Sequence, residues 1–90
     1  MTLRYKLARY NLETDLLDSE LDVPSRLLGR VKQAADIDPS DESIEGDWLL
    51  TAGQVKEIGQ ILGMDVDPAR YEYFLEPYIQ EAHGKERLQA

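Results

Sequence analysis

Thr51, Gln54 and Gly63 bracket one segment so closely that a helix over residues 52–62 is the strongest local constraint on this chain. Thr51 stands where an N-cap hydroxyl accepts from the backbone, and Gln54, three residues on, can reach back to the Thr51 amide as a capping box. Leu50 and Val55 occupy the two positions of a hydrophobic staple. The apolar face is Val55, Ile58, Ile61 and Leu62, spaced for a helix. Gly63 then supplies the left-handed residue on which many helices end, and Met64 follows where the chain can fold back onto that face.

Downstream, Asp67 and Pro68 read as the cap and first turn of a second helix, with Val66 and Tyr71 as a staple pair. Tyr71, Phe74, Leu75, Tyr78, Ile79 and Ala82 follow the i, i+3, i+4, i+7 spacing, so residues 68–79 are expected to be an amphipathic helix. Pro77 should kink or break it, leaving a short segment over residues 77–83. Upstream, Leu27, Leu28, Val31, Ala34 and Ala35 predict a helix over residues 24–35. The first twenty residues admit two readings. Leu3, Leu7, Tyr10, Thr14, Leu17 and Leu21 step at helical intervals, while Leu3, Tyr5 and Leu7 also alternate as in a strand. The longer series favours a helix; the order of charge, basic first and acidic second, opposes the helix dipole.

Together these elements predict an all-α fold, a small orthogonal bundle of about four helices, with α+β carrying an N-terminal strand as the alternative. The expected core is Leu28, Val31, Val55, Ile58, Leu62, Tyr71, Phe74 and Tyr78. No repeat or linker divides the chain, so residues 1–84 are expected to form one domain and residues 85–90 a flexible tail.

The 90 residues contain no cysteine, which removes thiolate catalysis, disulfides and Cys-ligated metals. The single histidine, His83, precedes Gly84 where a helix C-terminus welcomes a cation, and it leaves no triad or two-histidine metal site. The glycines form no phosphate-cradling spacing. No catalytic, cofactor-binding or metal site is therefore expected. No stretch is long and apolar enough for a membrane span, and a cytoplasmic protein with no membrane contact is expected.

Charge points the same way. Eighteen acidic against ten basic residues give −8, which disfavours polyanions such as DNA and favours a basic protein partner. The charge is also segmented: residues 1–10 carry three basic groups, residues 11–22 five acidic, residues 23–35 three basic and residues 36–47 six acidic. Residues 36–46 read as an acidic loop. Asp36, Asp38 and Ser40 fall at the first three ligand positions of a calcium loop, but Asp41 replaces its turn glycine, Ser43 its core aliphatic and Asp47 its bidentate glutamate. Asp65, Asp67 and Glu76 make a weaker version. The expected partner-binding residues are Asp36, Asp38, Asp41, Glu42, Glu45 and Asp47, with Trp48 either plugging the core or anchoring the interface. The function expected is a non-enzymatic protein-interaction module or small regulator, and a homo-oligomer is left open.

A nucleic-acid-binding regulator is the alternative. Residues 57–64 look like the first helix and turn of a helix-turn-helix, yet the second half offers Arg70 against Glu72 and Glu76, a poor phosphate reader. The clusters Arg4, Lys6, Arg9 and Arg26, Arg30, Lys32 would have to combine for such binding.

Overall fold

Alternation, not helical spacing, governs the first residues: Leu3, Tyr5 and Leu7 put their side chains on one face of a strand, β1 (Thr2–Asn11), and Arg4, Lys6 and Ala8 on the other. The computed structural model describes residues 2–38, 40–41 and 46–80. Its order is β1, β2 (Leu17–Asp22), a 3-10 turn (Ser25–Leu27), α1 (Leu28–Ala34), β3 (Trp48–Leu49), α2 (Ala52–Leu62) and β4 (Tyr71–Gln80). All strands are antiparallel in one sheet of order β2-β1-β4-β3. The fold is therefore α+β, which corrects the all-α bundle, and the strand alternative at the N-terminus is the reading that residues 2–11 adopt.

The hairpin between β1 and β2 is closed by Asn11. Its Oδ1 accepts from the amides of Glu13 (2.8 Å) and Thr14 (3.0 Å), and its own amide donates to Leu16 O. Asp15 takes the left-handed conformation at φ 65°. The helical series through Thr14 and Leu17 thus crosses a turn, and its apolar positions serve different faces.

β4 is the second correction. The region expected as a helix around Pro77 is a ten-residue strand, paired with β1 from Thr2↔Gln80 to Asn11↔Tyr71. A turn at Asp67, whose carbonyl accepts from the amides of Arg70 and Tyr71, stands where the helix cap was expected. The aromatic residues from Tyr71 to Tyr78 suit a pleated surface. Pro77 fits because the Tyr5 carbonyl bonds Val23 on the β2 side, so the Tyr5–Pro77 pair exchanges no ladder bonds. The missing N–H then falls on the outer edge of β4, beyond the reach of β3, where proline is tolerated.

α2 has the expected limits. Gln54 N donates to Thr51 Oγ1 (3.2 Å), Thr51 N to Gln54 Oε1 (2.9 Å), and Gly63 is left-handed at φ 69°. The helix expected over residues 24–35 is shorter, a 3-10 turn leading into α1. Both helices cover one face of the sheet, enclosing Tyr5, Leu7, Val23, Val31, Val55, Ile58, Tyr73 and Leu75. Of the expected core, Val31, Val55 and Ile58 are buried and Leu28, Leu62 and Tyr71 pack against it. Phe74 and Tyr78 point to the other face, because β4 alternates. Lys32, only 5% exposed, places its ammonium 4.9 Å from the centre of the Tyr5 ring and donates to Asp41 O at 2.7 Å.

Candidate functional site

Two helices cover one face of the sheet, so the functional question concerns the other. There the pleat brings up Arg4, Lys6, Ala8 and Tyr10 of β1, Glu72, Phe74, Glu76 and Tyr78 of β4, and Glu20 and Asp22 of β2. Its β1–β2 half is internally compensated. Arg4 pairs with Asp22 at 3.0 Å and Lys6 with Glu20 at 2.9 Å. Beside the hairpin turn Arg9 Nε donates to Asp18 at 2.8 Å. The three basic residues of β1 are thus neutralised by Asp18, Glu20 and Asp22 of β2, and Glu13 and Asp15 of the turn are left over. The Tyr78 hydroxyl donates to Asp22, and that bond raises the Tyr78 hydroxyl above its ordinary value.

Towards the hairpin turn the compensation runs out. Tyr10, Asp15, Asp47, Glu72, Phe74 and Glu76 line an open hollow of about 250 Å³. Tyr10 and Phe74 meet edge to face, with centroids 5.6 Å apart. Glu72 and Glu76 flank Phe74 two residues to either side, roughly 7 Å along the strand in each direction. Asp15 enters from the left-handed turn residue and Asp47 from the chain just before β3. Four carboxylates therefore surround an aromatic wall. Among the described residues the ion pair made to them is that of Lys6, at 3.8 Å from Glu76, and Lys6 is shared with Glu20.

The Glu76 side chain is 13% exposed. Burial, and after it the charge of Asp47, push its carboxyl above the ordinary glutamate value, and the charge of Lys6 and a hydrogen bond from Tyr10 offset them only in part. Glu76 in turn raises the Tyr10 hydroxyl. The described residues lining this hollow include no serine, threonine, lysine or histidine, and among the described residues no group of three or more potential ligands could hold a metal ion. What the arrangement can do is attract and desolvate a cation.

The residues expected at the interface are dispersed. Asp36 is an exposed turn residue at φ 62°. Asp38 accepts from the Ser40 amide (2.9 Å) and hydroxyl (2.7 Å), which hold its carboxyl below the usual range. Asp41 is half-buried and spends its carbonyl on Lys32. Glu42 and Glu45 lie outside the described residues, as do His83 and residues 85–90. Asp47 alone of the set lines the hollow. Trp48 turns inward, its ring 6.1 Å from that of Tyr5, and packs against the core. The neighbouring Leu49 is the exposed one, at 58%. Past Gly63 the half-matched helix-turn-helix runs through a turn into β4, so no second helix follows among the described residues.

Tyr10, Asp15, Glu72, Phe74 and Glu76 were missed as a group. Their signal is the period-two run Glu72, Phe74, Glu76, Tyr78, which a helical reading scatters around a cylinder.

A family model described as a domain of unknown function, DUF7683, matches residues 4–76, which takes in both helices and most of the sheet. No curated protein and no solved structure matches the chain.

Proposed function

The chain belongs to the DUF7683 family, and from that premise we propose that it is a non-enzymatic protein-interaction module presenting an acidic surface to a basic protein partner in the cytoplasm. The observation that carries this reading is the rim of Asp15, Asp47, Glu72 and Glu76 on a sheet face opposite both helices. Charge of one sign left uncompensated on a concave surface focuses the field and speeds encounter with an oppositely charged partner. Asp36, Asp38, Asp41, Glu42 and Glu45 precede Asp47 in the sequence and carry charge of the same sign. The net charge of −8 adds a long-range component. No helix among the described residues is long and apolar enough to cross a membrane.

The test is a titration of the full chain with a lysine- and arginine-rich peptide at low and at physiological ionic strength. Binding should weaken steeply with salt, and the double variant D47N/E72Q should weaken it by about tenfold, the equivalent of two rim contacts of modest strength. Binding that ignores both salt and the double variant would refute the reading.

A further inference from the structure

We propose that the hollow lined by Tyr10 and Phe74 is the seat of a single arginine side chain projecting from the basic partner. This rests on the preceding reading and narrows it from a surface to one position and one chemistry.

The hollow is not merely acidic. A lone cluster of carboxylates would suit any cation in water, including a hydrated ammonium held at a distance. Here Tyr10 and Phe74 stand edge to face inside the ring of acids, so a ligand that enters meets a π-surface as well as charge. Aromatic faces attract cations most strongly when water is excluded, and guanidinium is the cation most often found over them. It is flat, weakly hydrated and always charged, and its donors point outward around one plane. Acids line the hollow from three elements: Glu72 and Glu76 from either side of Phe74 along β4, Asp15 from the hairpin turn and Asp47 from the chain before β3. An ammonium offers a point charge and leaves part of that ring unserved.

The chain already uses this arrangement internally. Arg9 places its guanidinium carbon 4.2 Å from the centre of the Tyr71 ring while its Nε donates to Asp18. Stacking plus a carboxylate therefore holds one arginine on the same strand that supplies Tyr10. The hollow repeats the constituents, ring and acid, without a guanidinium of its own among the described lining residues. Its volume of about 250 Å³ suits one side chain and not a folded element. The raised carboxyl of Glu76 fits the assignment, since a buried acid facing Asp47 is relieved by an arriving cation.

The experiment compares three short peptides, lysine-rich apart from a central arginine, lysine or citrulline, binding to the full chain at low salt. The arginine peptide should bind about tenfold more tightly than the citrulline peptide, and several-fold more tightly than the all-lysine one. Ring resonances of Tyr10 and Phe74 should shift with the arginine peptide and far less with citrulline. Y10L should abolish the arginine preference while leaving the residual salt-dependent binding. E72Q provides a second variant that leaves both rings in place and should weaken the arginine peptide most. Equal affinity for all three peptides, with salt dependence intact, overturns this inference and leaves the acidic-surface reading standing. An arginine preference that survives both Y10L and E72Q also overturns it. Absence of binding by every peptide at low salt refutes both readings.

Discussion

Lys6 Nζ lies 2.9 Å from Glu20 Oε2 across the β1–β2 hairpin and 3.8 Å from Glu76 Oε1 on the opposite neighbour, β4. One ammonium thus bridges three strands, and its Nζ stands over the Tyr78 ring at 5.7 Å from the centroid. Glu20 is the chief reason that the Lys6 ammonium holds its proton more tightly than usual. Truncation in K6M removes that bridge and leaves Glu20, Glu76 and Asp47 facing one another. Because the partners are part-exposed, the loss should be only about 0.5 to 1 kcal/mol. Urea unfolding should show it at low salt and lose most of it at high salt.

Glu76 has the opposite sign. Its carboxyl is raised on folding by burial and by Asp47, with Glu20 adding and Lys6 and Tyr10 opposing. A raised acid contributes stability that is fully present below the unfolded value and lost as the pH rises through the folded one. At neutral pH the charged group therefore works against the fold. E76Q should melt higher than wild type at pH 7, and the difference should close as the pH falls through the ordinary carboxylate range. A lower melting temperature at pH 7 would show that the Lys6 pair outweighs burial.

Two glycines in α2 should respond oppositely to alanine. A Cβ on Gly53 meets nothing within 4 Å, so G53A should stabilise by about 0.5 to 1 kcal/mol through helix propensity. A Cβ on Gly59 would stand 2.9 Å from Val66 Cγ1 and 3.2 Å from the Met64 carbonyl oxygen. G59A should destabilise by about 1 to 3 kcal/mol despite the same propensity gain. Coupling should appear in a double-mutant cycle with V66A, which removes the nearer obstacle.

Tyr73 is 1% exposed, and its hydroxyl accepts from the Asp67 amide at 3.0 Å. That bond pins the turn between α2 and β4 to the core face of the sheet. Y73F should cost about 1 kcal/mol, the worth of a bond whose donor is left without a partner, and should speed hydrogen exchange at the Asp67 amide. Unchanged exchange there would show that the turn holds without it.

The charge pattern of residues 1–22 shows how the fold was both written and hidden. Arg4, Lys6 and Arg9 followed by Asp18, Glu20 and Asp22 is a poor helix, because the charges oppose its dipole, and a good hairpin, because antiparallel strands set the two groups side by side. The helical spacing of Leu3, Leu7 and Tyr10 points the other way and masks the mismatch. Residues 71–79 were harder. Tyr71, Phe74, Leu75 and Tyr78 satisfy a helical period, while Tyr73 and Leu75 satisfy a strand's, and a segment apolar on both faces carries both. The hollow went unseen with β4, since Glu72, Phe74 and Glu76 share a face only when the chain is extended.

By itself the sequence determined α2, whose cap, staple and terminal glycine act within a few residues of one another, and the acidic balance of the surface. The tertiary structure decided the sheet. Strand pairing joins β1 to β4 from opposite ends of the chain, and its hydrogen bonds exist only once both partners are present. Local spacing could not choose between helix and strand for residues 71–80; the exposed ladder of β1 and the apolar underside of the sheet could. The same choice turned Phe74 away from the core and towards Tyr10, and so created the hollow.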